Sequence, residues 1–261
     1  MHRVLAAISA IGFVVTSAWF FAGLSASQAS GASFSRVALY GDSLAVEAQD
    51  FFVFRVAAGA EVRTRTFGGT AICDWFELMR EDAATWQPDA VVIEFSGNAL
   101  TPCMRDGAGN PLTGDDHLRK YRDDTEEALR IFAGARAFIV GAPVARDFDA
   151  AVMSRLNRQY KVIAARSDFA DFVDAGRAVL DRGRYTAWLP CLPEEPCTGG
   201  TALDGTPFNV VRAPDGAHFC PGAPAASNGV TELCAIWSSG AYRFGTAIAE
   251  AVLRDFGPTS P

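Results

Sequence analysis

The chain has 261 residues, 49% of them hydrophobic and 20% charged, a balance that suits one sizeable folded domain and argues against disorder. Its formal net charge of −7 offers no broad attraction to nucleic acid or anionic lipid. There is no basic run, internal repeat or low-complexity tract. The N-terminal stretch MHRVLAAISAIGFVVTSAWFFAGLSASQAS carries Arg3 as its only strong charge, then an apolar run from Val4 to Leu24, then small polar residues. That layout predicts residues 1–30 to be an export signal cleaved after Ala26 or Ala29. The run also reaches the roughly 20 residues that span a bilayer, so a retained anchor with the domain outside is the alternative; Arg3 on the cytoplasmic side fits both. Residues 31–261 are then the domain.

Past a short linker, apolar runs alternate with amphipathic stretches. RVALY (Arg36–Tyr40) reads as a first strand, and the segment from Leu44 to Ala58 as a helix stopping at Gly59. EVRTRTF alternates with the period of a strand and ends at Gly68-Gly69; the stretch from Cys73 to Trp86 is helical, ended by Pro88. AVVIEFSG is a continuous β-branched run, the pattern of a strand covered on both faces. Leu118, Tyr121, Thr125, Ala128 and Phe132 then recur at helical spacing ahead of Gly134. RAFIVGAP is another buried strand, 150–166 another helix and DFADFVDAG a last short strand. SSGAYRFGTAIAEAVLRDFG closes the chain as a helix with serine at its start and Gly257-Pro258 behind it. Alternation of this regularity predicts an α/β domain with a parallel sheet and helices on both faces. Ligands gather beyond the carboxyl ends of such strands, where Ser43, Gly69, Asn98 and Pro143 all fall.

Ser43 stands in Gly41-Asp42-Ser43, between a buried strand and a helix. A serine needs a base, usually histidine, to become a nucleophile. Of the three histidines, His2 lies in the leader, and His117, near the start of a polar helix, reads as a solvated surface imidazole. His218 remains, with Asp215 three residues before it across Gly216 and Ala217; on one tight turn that carboxylate reaches the imidazole, fixes its tautomer and stabilises its protonated form. The same pattern is also that of a turn aspartate capping its own backbone. An acyl-transfer oxyanion needs fixed N–H donors: the Ser43 amide at a helix start, the Gly69 amide and the Asn98 carboxamide are the candidates.

Together, GDSL at Gly41–Leu44, a glycine after the second strand, an asparagine after the third and DGAH at Asp215–His218 resemble the SGNH (GDSL-type) hydrolases over about Val37 to Phe256. The resemblance implies a three-layer α/β/α sandwich of flavodoxin-like kind, with Ser43 as nucleophile, His218 and Asp215 as base and carboxylate, and Ser43, Gly69 and Asn98 forming the oxyanion hole. It implies no metal and no organic cofactor. One motif departs: where the family has G-x-N-D, this chain reads Ser96-Gly97-Asn98-Ala99, so either the loop holding Asn98 is loosened or Asp42 and nearby backbone hold it instead. Gly69 is preferred to Gly68 because Thr70 follows it.

Six cysteines fit export. Proximity and layout favour Cys73–Cys103, Cys191–Cys197 and Cys220–Cys234; zinc is the competing explanation, but paired C-x-x-C units are missing and histidine is scarce. Cys73 and Cys103 each lie just past a candidate oxyanion donor, so their bridge would tie those loops together. The stretch from Tyr185 to Val211, rich in Pro, Gly and Thr, is expected as a pocket wall, with Trp188 packed under its own loop or stacked on a sugar. Cys73, Cys220 and DGAHFCP also resemble SGNH domains of bacterial envelope acyl-modifying proteins. The expected function is therefore an exported serine esterase, secreted, periplasmic or attached to the envelope through the N-terminal apolar segment. Its substrate would be a small-molecule or carbohydrate ester. An O-acyltransferase using the same residues, and a glycan-binding module on a retired enzyme fold, are the alternatives.

Overall fold

The computed structural model describes residues 35–146, 150–221, 234 and 236–255. The leader, with its export or anchor expectation, lies outside them. Among the described residues, no helix is long and apolar enough to cross a membrane.

Five strands, β1 (Arg36–Gly41), β2 (Glu61–Thr66), β3 (Ala90–Glu94), β4 (Arg136–Val140) and β5 (Ala170–Val173), form one sheet in the order β2-β1-β3-β4-β5, every neighbour parallel. The strands between the edges are the uninterrupted apolar runs of the sequence: Val37 to Tyr40, Val91 to Ile93 and Phe138 to Val140 are all buried. β2, at an edge, alternates instead, and its Arg63 and Arg65 reach the buried Asp82.

The chain steps one way from β1 to β2 and the other way from β2 through β5. Right-handed crossovers therefore send α1 (Ser43–Val56) to one face and α2 (Phe76–Thr85), α3 (Gly114–Ile131) and α4 (Ala150–Ala164) to the other. α2 packs on α3 and α3 on α4, while α1 packs along a later helix numbered α5 (Ser239–Asp255). The result is the three-layer α/β/α sandwich. Strand order reverses between β1 and β3, and there, beyond the strand ends, such a sheet opens a crevice.

Between β5 and α5 the structure adds what periodicity did not foresee. A short hairpin of β6 (Leu180–Asp181) and β7 (Arg184–Tyr185) precedes a three-stranded antiparallel sheet, β8 (Trp188–Pro190), β10 (Pro207–Val210) and β9 (Gly200–Thr201). The pocket wall expected here as a loop thus carries a small sheet, with strands too short for an alternation signal. Trp188 is 60% exposed, its ring 5.6 Å from that of Phe208 on the neighbouring strand.

All three disulfides pair as expected: Cys73–Cys103, Cys191–Cys197 and Cys220–Cys234. Disulfides in this number mark an oxidising compartment outside the cytoplasm. The only two groupings of potential metal ligands found among the described residues, Cys73 with Asp74 and Cys103, and Glu47 with Cys220 and Cys234, have their thiols consumed in these bridges. Replacing Cys73 and Cys103 together by serine opens a loop with a sequence separation of 30 and is expected to cost about 3–4 kcal/mol; chemical denaturation of the double variant measures it.

Candidate active site

β1 ends at Gly41 with no room for a larger residue: a Cβ there would stand 2.3 Å from that of Ala45 and 2.9 Å from the Glu94 carbonyl. The backbone passes close over β3 and turns at once into α1. Asp42 is the N-cap, accepting the Leu44 N–H at 3.0 Å. Ser43 follows as the first helical residue, where the amide has no intrahelical acceptor.

Asp42 is the hub of the site. Its Oδ1 accepts from Leu44, and its Oδ2 accepts the Ser96 N–H (2.7 Å), the Ser96 hydroxyl (2.6 Å) and the Asn98 carboxamide (2.9 Å). Burial pushes the Asp42 carboxyl up, and the Ser96 and Leu44 donors work against that. Beside it lies Glu94, the last residue of β3, fully buried. Burial, then the charge of Asp42, holds Glu94 well above the usual carboxyl range. Of this pair, Glu94 keeps the proton and Asp42, with four donors, takes the charge.

The departure from G-x-N-D is made good by this hub and by a set of rings behind the loop. Tyr160 donates to the Phe95 carbonyl (3.0 Å), Tyr121 donates to that of Asn98 (2.9 Å), and Nε2 of His117 is 3.0 Å from that of Gly97. The expectation of a solvated His117 is corrected here: it is 7% exposed, on the ring of Tyr121 one turn further along α3, and burial lowers its pKa. Its position four residues before the apolar-face Tyr121 was the overlooked signal.

Asn98 thus stands next to the Asp42–Ser43 turn, and its Nδ2 donates to Asp42 and, at 3.3 Å, to the Thr70 carbonyl. Gly69, φ +77°, turns the chain after β2, with Leu100 of the Asn98 loop alongside. Among the described residues neither the Gly69 nor the Ser43 amide has an acceptor. The Cys73–Cys103 bridge joins the segments that follow Gly69 and Asn98. Pro143, buried past the end of β4, lines the backbone of Gly176 and bears no chemistry.

Asp215 and His218 share one turn. Oδ2 of Asp215 is 2.6 Å from Nδ1 of His218, while Oδ1 accepts the Ala217 and His218 amides at 2.8 and 3.0 Å. The two readings of D-x-x-H are therefore both realised: the carboxylate caps the turn with one oxygen and orients the imidazole with the other. Burial raises the Asp215 carboxyl, but the bonds from His218 and Ala217 outweigh it and hold it below the usual range. Gly216, φ +76°, lets Arg146 lie against the turn; a Cβ would stand 2.5 Å from that of Arg146. Arg146 donates to the carbonyls of Pro214 and Asp215 at 3.0 and 3.2 Å, a clamp that no motif announced. Among the described residues, neither the Ser43 hydroxyl nor Nε2 of His218 is hydrogen-bonded to a side chain; the two segments meet where Phe219, directly after His218, donates its N–H to Glu47, one turn beyond Ser43 on α1, at 2.6 Å.

No family model and no curated protein matches the chain. Solved structures do. A lipase/acylhydrolase from Enterococcus faecalis aligns with a TM-score of 0.55 at 15% identity, covering 87% of this chain and all of that one. A catalytic mutant of an acetylxylan esterase from Geobacillus stearothermophilus aligns with a TM-score of 0.51 at 17% identity, covering 85% of this chain and 94% of that one. With its five parallel strands between two helical layers, the chain has the fold of this acylhydrolase and this esterase.

Proposed function

We propose that the chain is an exported serine esterase of the SGNH family that cleaves carboxylic esters, carbohydrate O-acyl groups among them. One observation carries this reading: a bonded Asp215–His218 pair whose next residue, Phe219, is hydrogen-bonded to Glu47 one turn beyond Ser43, at the switch point of the sheet. Asp215 keeps the proton on Nδ1, so Nε2 is the free base. It takes the Ser43 proton as Oγ attacks the ester carbonyl; the oxyanion is met by the Ser43 and Gly69 amides and by Asn98 once it leaves Thr70. His218 then protonates the departing alcohol, and water resolves the acyl-Ser43 intermediate by the same route in reverse. The exposed Trp188, packed on the half-buried Phe208 in the small sheet leading to His218, supports a sugar-bearing substrate. The three disulfides support export, with residues 1–30 as its signal or anchor.

A sulfonyl fluoride tests the reading. It should add one sulfonyl group to Ser43, fluoride leaving and His218 taking the proton, and the mass gain should vanish in His218→Ala. Labelling that survives in His218→Ala at the same rate counts against it. Asn98→Ala is expected to lower kcat for a small aryl acetate by about 10²–10³-fold, the usual loss for one oxyanion donor, in a steady-state assay.

A further inference from the structure

Glu47 lies one helical turn beyond Ser43, on the same face of α1. It is a carboxylate in a buried row, 4% exposed, and the esterase reading above gives it no task. Its Oε2 accepts the Phe219 N–H at 2.6 Å across a sequence separation of 172. Phe219 directly follows His218, so one side chain joins the helix that carries the hydroxyl to the segment that carries the imidazole. We propose that Glu47 is a positioning residue for the reaction, holding His218 in register with Ser43 and, when ionised, favouring the protonated imidazole; this rests on the esterase reading.

The surroundings leave few other groups to do this. From the 213–218 turn, Asp215 and His218 face Glu47. From the end of β10 comes Arg212, 2% exposed, which donates to the Ala217 carbonyl (2.8 Å) and the Val144 carbonyl (2.9 Å) and lies 5.1 Å from the Phe219 ring. Arg212 feels Glu47, Asp215 and, more strongly, Tyr185. The Cys220 amide and the Cys220–Cys234 sulfurs complete the wall, and the disulfide does not titrate. On α5, which packs along α1, Arg243 is engaged by Glu195. Asp42 is the remaining charge that interacts with His218. Burial pushes Glu47 up to about 7, opposed by the Phe219 amide and His218 and reinforced by Asp215. Its charge therefore switches on near neutrality, where a histidine base has to be unprotonated to work.

The test uses the full chain with Glu47→Gln, which keeps an acceptor for Phe219 but no charge, and Glu47→Ala, which keeps neither. NMR follows the His218 ring proton through a pH titration, assigned by its loss in His218→Ala, alongside pH–rate profiles on a small aryl acetate. An anion close to an imidazole favours its protonated form, so Glu47→Gln should move the His218 midpoint and the acid limb of kcat/KM to lower pH by about half to one unit. Glu47→Ala should lower kcat by up to about 10²-fold with KM within about twofold, and Glu47→Gln should recover most of that. An unmoved or raised midpoint in Glu47→Gln, or wild-type kcat in Glu47→Ala, overturns the proposal. If the wild type shows no Ser43-dependent turnover, the esterase reading fails by itself, and the NMR midpoint still decides whether Glu47 governs His218.

Discussion

Replacing Ser43 with alanine is expected to lower turnover of a small aryl acetate by about 10⁴-fold or more while the protein stays folded. The magnitude follows from the way nucleophile and base act as a unit: once either is gone, the remaining acceleration comes only from binding and the oxyanion donors. His218→Ala should therefore cost about as much as Ser43→Ala, and the double variant little more than either. The fold should tolerate the change because, among the described residues, the Ser43 hydroxyl makes no hydrogen bond to protein, so its loss strands no partner. Steady-state kinetics on the three variants, with thermal melts beside them, decide the matter. A Ser43→Ala protein that keeps wild-type turnover ends the assignment; multiplicative losses in the double variant would mean that the two residues do not act together.

Asp42→Ala is expected to damage stability and rate at once. The carboxylate is fully buried and accepts from Leu44, twice from Ser96 and from Asn98. Removing it uncaps α1, an effect of about 1 kcal/mol, and leaves the Ser96 and Asn98 donors short of a partner in a site of low exposure. Together these should lower stability by about 3–5 kcal/mol, the range for breaking a buried charged network. Urea titration gives the stability, and kcat/KM at a temperature where the variant is still folded gives the catalytic share. A loss below about 1 kcal/mol would show that Asp42 is not the hub.

Much of this was legible in the sequence. The alternation of strands and helices pointed to the parallel sheet, GDSL marked the end of its first strand, and DGAH marked the turn on which Asp215 meets His218. Near-neighbour reasoning paired the cysteines because each pair closes a loop between adjacent elements. What escaped reading was long-range. The ring donors that hold the Ser96–Asn98 loop come from α3 and α4, where Tyr121 and Tyr160 look like ordinary core positions and His117 like a surface one. Arg146 grips the Asp215–His218 turn from the loop after β4, and Glu47 meets Phe219 from the far end of the chain. Residues of this kind are recruited by tertiary proximity, and no local period or motif announces them. The small β8–β10–β9 sheet was hidden for a different reason: its strands are shorter than one full alternation.

The buried carboxyl on α1 also sets a thermodynamic cost. Folding raises Glu47 from its ordinary 4.5 to about 7, chiefly by burial, so the folded state prefers the neutral acid. The stabilisation tied to that proton is complete below about pH 4.5 and drains away as pH climbs through about 7. At about 1.4 kcal/mol per pH unit, the loss is on the order of 3 kcal/mol by pH 8. Glu47→Gln should escape it, so its urea midpoint should fall less between pH 5 and 8 than that of the wild type; parallel midpoints would contradict this. The conditions that free the imidazole to act are then the ones in which the scaffold is weakest, a trade between activity and durability lodged in a single side chain.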